Sequence, residues 1–87
     1  MSSLPKQSEL AQAILEVLKL NATGLSVEQI EELVVRKLMI DEEDRNVIRS
    51  GKRTELAYRL SWARTKLKAE GLINKSAIGQ WKYTDIN

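Results

Sequence analysis

Apolar residues recur along this chain at helical spacing in three places and alternate at strand spacing in one. Leu10, Ile14, Leu15 and Leu18 form the first stripe and predict a helix over 7–20, with Ser8 as a capping residue. A turn over 21–24 follows, and Leu25 is placed as a short strand that pairs with a later hairpin. Ser26-Val27-Glu28-Gln29 reads as a capping box, in which serine and glutamine side chains satisfy two orphan amides. It opens a second helix over 26–39 that buries Val27, Ile30, Leu33, Val34 and Leu38. Glu28, Glu31, Glu32 and Arg36 lie on its solvated face. Acidic residues at 41–44 suit the first turn of an extra helix over 41–50, because carboxylates there complement the helix dipole.

The third stripe organises the rest. With Leu60 at zero on a wheel of about 100° per residue, Leu56, Ala63 and Leu67 fall near −40°, −60° and −20°. Tyr58, Trp62, Thr65 and Ala69 gather around the opposite pole. This predicts a helix over 54–70, capped by Thr54 and stopped by Gly71, where positive φ costs little. A hairpin over 72–84 completes the chain, turning within 75–79. Trp81 and Tyr83 share its inner face, and Gln80, Lys82 and Thr84 share the other. The fold class expected is mainly α with a small β-ribbon, a winged helix-turn-helix with an extra short helix before the recognition helix. At 87 residues the chain is read as one domain over 1–87, burying roughly 60% of its unfolded surface. Residues 1–6 hold the only proline and are expected to fray.

Charge sharpens the picture. Positions 1–44 carry four basic and nine acidic residues (net −5), whereas positions 45–87 carry ten basic and three acidic (net +7). The positive half coincides with the third helix and its ribbon, which points to a polyanionic partner. No apolar run approaches the length of a membrane span, and no secretory signal is seen. Without Cys or His there is no disulfide, thiol chemistry or ordinary zinc shell. A cytoplasmic location is the expectation. The four acids at 41–44 form a weak metal pattern, since neighbouring helical residues point in different directions. Ser50-Gly51-Lys52 resembles the end of a phosphate-binding loop, but Asn46 stands at the earlier glycine position and Arg53 replaces the hydroxyl residue. No cofactor, metal or small-molecule substrate is expected.

A resemblance to a known family is closest from about Asp41 to Asp85 and extends, in generic form, back to Ile14. Ser50-Gly51-Lys52, Arg59-Leu60-Ser61-Trp62-Ala63-Arg64-Thr65, Leu67-Lys68, Gly71-Leu72-Ile73 and Gly79-Gln80-Trp81-Lys82-Tyr83-Thr84 resemble the N-terminal domain of Mrr-type restriction proteins. Glu42, Glu43, Arg45 and Asn46 look like that family's helical insertion. The resemblance implies a winged-helix DNA-recognition module, normally joined to a separate nuclease domain that cleaves modified DNA. Two positions depart from the pattern. Arg49 stands where proline often precedes Ser-Gly, and Tyr58 stands where asparagine often precedes the arginine.

The nuclease itself is not read in this chain. Mrr-like catalytic cores carry an acidic residue on one strand and Gln-x-Lys or Glu-x-Lys on the next, jointly holding a divalent metal. Gln80-Trp81-Lys82 matches the second half only, and the preceding strand, residues 72–74, offers no carboxylate to hold a metal. The chain is expected to be non-enzymatic, with catalysis in a fused or separate nuclease domain.

The partner expected is double-stranded DNA, with the helix over 54–70 in the major groove and the wing along the backbone. Tyr58, Arg59, Ser61, Trp62 and Thr65 have the direction to face bases, Arg59 as a bidentate guanine reader. Lys52, Arg53, Lys66, Lys75 and Lys82 are assigned to phosphates, with Thr54, Ser76 and Gln80 beside them. Arg64 borders the buried stripe and is assigned to structural pairing. Trp62 is expected to be covered by the 41–50 segment, because a small domain usually covers a large indole. The rival reading is a winged-helix protein–protein or dimerisation module, for which a solvent-facing Tyr58–Trp62 pair would be suited. A homodimer is compatible with either.

Overall fold

Helix α1 (Gln7–Leu20) is the element against which the others pack: α2 (Val27–Leu38) and α4 (Glu55–Ala69) both lie on it, and so does strand β4 (Trp81–Tyr83). The computed structural model describes residues 4–76 and 78–84. Between α2 and α4 lie a four-residue helix, α3 (Glu42–Arg45), and a hairpin of β1 (Ile48–Ser50) with β2 (Arg53–Thr54). A second antiparallel pair, β3 (Ile73–Lys75) with β4, follows α4. The fold is mainly helical with two small strand pairs.

The core follows from the helical stripes. Leu10, Ile14 and Leu18 of α1 meet Ile30 and Val34 of α2 and Leu56, Leu60 and Leu67 of α4, all buried. Burying each such side chain is worth about 1.5–3 kcal/mol, which gives so short a chain a single cooperative centre. Ile73 and Trp81 attach the β3–β4 pair to it. Leu15, Val27, Leu33, Leu38 and Tyr83, expected inside, are partly buried at its margin.

Local chemistry fixes the ends. Ser26 and Gln29 form the capping box: the Gln29 N–H donates to Ser26 Oγ at 3.2 Å, and Gln29 Oε1 accepts from the Ser26 N–H at 2.9 Å. Thr54 Oγ1 accepts from the Ala57 N–H at 3.0 Å and caps α4. Gly71, with φ 79°, follows that helix. Ser8 does not cap α1. The helix starts one residue before it, and Glu9 accepts from the Lys6 N–H at 2.9 Å instead.

Leu25 does pair with the later hairpin, exchanging both backbone bonds with Trp81 at 2.9 and 2.8 Å. β4 is therefore flanked by β3 on one side and Leu25 on the other. Gly24 makes this approach feasible. Its φ is +102°, and a Cβ there would meet Lys82 Cγ at 3.0 Å and the Trp81 carbonyl at 3.3 Å. The turn expected at 75–79 includes position 77, and the fraying expected at 1–6 includes positions 1–3; these positions lie outside the described residues.

The helix expected over 41–50 is corrected by the structure. It stops at Arg45, and the chain turns into the β1–β2 hairpin. Val47 and Ile48 are β-branched and favour extended backbone, and Gly51 supplies the positive φ of 54° that the tight turn needs. The hairpin closes where the Glu55 N–H donates to the Val47 carbonyl at 2.8 Å. Its register shifts between Ile48 and Ser50.

Ion pairs brace the helices. Arg45 bonds Glu32 at 3.0 Å and Glu31 at 3.3 Å, fastening α3 to α2, and Lys37 meets Glu16 at 2.6 Å between α2 and α1. The Glu32 carboxyl is held below its ordinary value of 4.5, first by the hydrogen bond from Arg45, and the Glu16 carboxyl similarly by Lys37. The unfolded chain lacks these partners and takes up protons at higher pH. The stability they confer is therefore complete above about pH 4.5 and is lost as pH falls through the lowered folded values. Both carboxyls are too exposed for a large effect.

Two outcomes are expected. Gly24→Ala should cost at least about 1–2 kcal/mol, since its φ is closed to L side chains; a denaturant-unfolding midpoint equal to that of the parent would refute this. The thermal midpoint should be level from neutral pH down to about pH 5 and then decline, with a shallower decline in Glu32→Gln, as read by circular dichroism across pH.

Candidate nucleic-acid interface

Because Leu56, Leu60, Ala63 and Leu67 are buried, α4 turns the opposite pole outward. Trp62 stands there with 56% of its surface exposed. The covering expected for it from the 41–50 segment is absent, because that segment becomes a hairpin and packs at the N-terminal end of α4 instead. Tyr58 sits one turn earlier, edge-on to Trp62 with ring centroids 6.3 Å apart. Thr65, next along this face, donates its hydroxyl to the Ser61 carbonyl at 3.0 Å.

The β1–β2 hairpin delivers cations to this aromatic pair. The Arg49 guanidinium carbon lies 3.6 Å from the Tyr58 centroid and that of Arg53 lies 5.7 Å away, a cation–π arrangement on one ring. Lys52 occupies the turn and is exposed. Arg49 was not among the sequence-predicted contacts. Helical spacing does not point to it, because the hairpin that brings it to Tyr58 has no apolar period of its own. Arg49 and Tyr58, the two departures from the family pattern, touch each other.

Glu55 governs which arginines remain available. One carboxylate oxygen accepts from Arg49 at 3.0 Å and the other from Arg59 at 2.9 Å. These bonds, that from Arg59 first, hold its carboxyl below the ordinary value. Arg59 also donates to the Pro5 carbonyl at 3.3 Å, and its own carbonyl accepts from Gln7 at 2.6 Å. It is thereby turned to the N-terminal flank of α4, away from Tyr58 and Trp62. Lys66 lies on that same flank, in the groove between α4 and α1 beside Gln12, Leu15 and Glu70. These two expected contacts are not brought together with the rest.

On the other flank, Arg64 covers Trp81, its guanidinium carbon 5.6 Å from the indole, and Lys75 approaches the same ring at 5.8 Å. The structural pairing expected for Arg64 is thus with an indole, and it makes no ion pair among the described residues. Burial, then the nearby Arg53, push its pKa below the usual arginine range. Lys82 is exposed on β4 against Gly24, Ser76 Oγ accepts from the Gln80 N–H at 3.2 Å, and the Thr54 hydroxyl is used in its cap. Lys52, Arg53, Arg64, Lys66, Lys68, Lys75 and Lys82 have no acidic partner among the described residues, while Arg45, Arg49 and Arg59 do. Most of the cationic half is thus left unpaired with the acids of the described residues. No group of three or more acids converges on a metal-binding point, and no helix is long and apolar enough to cross a membrane, among the described residues.

The Mrr N-terminal domain family matches residues 8–86. Comparison with curated proteins and with solved structures returned no match. The matched stretch takes in nearly all of α1, then α2, α3, the β1–β2 hairpin, α4 with its outward aromatic pair, and the final hairpin. Spanning nearly the whole sequence, it associates the protein with Mrr-type restriction systems, and the chain belongs to the Mrr N-terminal domain family.

Proposed function

We propose that this protein is a double-stranded DNA-binding module of an Mrr-type restriction system, built as a winged helix. The order helix, bridging strand, helix, helix and hairpin supports that architecture, with α4 as recognition helix and β3–β4 as wing. The observation that carries the reading is the set of acid-free cations on the β1–β2 turn, α4 and the β3–β4 hairpin. Such a distribution raises the local concentration of a polyanion and releases counterions when phosphates are neutralised.

In this reading the outer face of α4 enters the major groove. Tyr58, Ser61, Trp62 and Thr65 meet base edges there, and Arg53, Lys52, Lys75 and Lys82 lie along the backbone. Arg59 acts by positioning: through Glu55 it fixes Arg49 over Tyr58. The chain is non-enzymatic and acts in the cytoplasm, where it delivers a separate or fused nuclease domain to DNA. Specificity for sequence or base modification belongs to the Tyr58–Trp62 face, since phosphate contacts carry none.

One observation favours a second reading. The exposed Tyr58–Trp62 pair would also suit a protein partner or a second copy of the chain. Trp62 distinguishes the two, because the other indole, Trp81, is buried.

For about four phosphate contacts, the logarithm of the DNA association constant should fall with that of salt at a slope near −4. Joint Lys52→Glu and Arg53→Glu should weaken all sequences alike and make the slope shallower by about 2. Anisotropy titrations on labelled duplexes read both, and a flat salt response would refute the proposal. Duplex should also quench the fluorescence of Trp62, with the quench missing in Trp62→Phe. A Trp62 signal that follows protein concentration and ignores DNA would establish the protein-partner reading instead.

A further inference from the structure

Arg64 is a half-buried cation with no anionic partner among the described residues. Its Nε is shut off from solvent and has no hydrogen-bond partner, and the guanidinium makes no ion pair among the described residues. The nearest acids that act on it, Glu28 and Glu31 of α2, lie beyond contact, and Glu31 is already bonded to Arg45. Arg53 adds a second positive charge nearby. Desolvating a charge without pairing it destabilises a fold, and the stack on Trp81 recovers only part of that cost. Nothing in the packing requires a charge here: an apolar side chain of similar length would cover the indole as well.

We propose that Arg64 is an anchor for one backbone phosphodiester at the seam between α4 and the β3–β4 hairpin, with Lys75, on the same indole, beside it for a neighbouring phosphate. This rests on the DNA-binding reading above. A guanidinium is a planar fork matched to two phosphate oxygens. An exposed lysine must shed its hydration when it meets a phosphate, whereas Arg64 has shed part of it already in the folded protein. Its orientation is also set beforehand by the ring beneath it, so less freedom is lost on binding. Neighbouring cations match a polyanion, which brings one charge with each successive phosphate, better than a single carboxylate. The seam also joins the recognition helix to the wing, so a phosphate held there fixes the rotation of both on the duplex.

The test compares the full chain with Arg64→Met and Arg64→Lys, by DNA titration over a range of salt and by thermal unfolding. Methionine keeps an apolar stem on Trp81 and removes the charge. Arg64→Met should bind duplex about tenfold more weakly near 0.1 M salt, with a slope shallower by about 0.9. Its Tm should equal or exceed that of the parent, because an uncompensated charge has been removed. Arg64→Lys should keep the parent slope and regain only part of the affinity, lacking the fork. Equal binding by Arg64→Met and the parent overturns the anchor and leaves the DNA-binding reading intact. A Tm lowered by several degrees in Arg64→Met also overturns it, since the arginine would then be serving the fold. A parent chain that ignores DNA removes the reading itself, and the anchor with it.

Discussion

One buried stripe sets the orientation of everything functional. Leu56, Leu60, Ala63 and Leu67 dock α4 onto α1, and this contact admits only one rotation of α4 about its own axis. Turning the helix by a single residue would bury a charged or aromatic side chain and expose a leucine. The rotation decides that Tyr58 and Trp62 point outward, that Arg59 and Lys66 lie toward α1, and that Arg64 leans over Trp81. A few apolar contacts thereby sort the polar side chains of one helix into an outer face and two distinct flanks.

The β1–β2 hairpin adds what α4 could not supply from its own sequence. A helix carries its neighbours at intervals of three and four residues, so the ring of Tyr58 could not be bracketed by two guanidiniums from within α4. A tight turn at Gly51 brings Arg49 and Arg53 to it from outside. Glu55 then holds one of them in place while also holding Arg59. A single carboxylate in the first turn of α4 thus stabilises the helix end, positions Arg49 and holds Arg59 away from the Tyr58–Trp62 face.

The division of charge has a structural counterpart. Acids of the N-terminal half act as brackets: Glu16 holds Lys37, and Glu31 and Glu32 hold Arg45. In the C-terminal half the cations outnumber the acids, and Glu55 alone takes two of them. The remainder have no acidic partner among the described residues, and Arg64 is the extreme member, having lost hydration without gaining a counter-charge there.

Local spacing was sufficient to place α1, α2 and α4, the caps at Ser26 and Thr54 and the stop at Gly71, because each is written in contacts a few residues apart. The β1–β2 hairpin was not legible: residues 47–54 hold too few apolar positions to show a period, and the acids before them look like a helix start. Nor could spacing assign Trp62, Arg59 or Arg64. Wheel angles give a direction but not what lies there, and only packing revealed open solvent at Trp62, a carboxylate at Arg59 and an indole without an acid at Arg64. The sequence by itself determined which residues form the core and where positive charge accumulates. Which of those charges remain available was decided by the tertiary structure, because pairing depends on distances between segments far apart in the chain.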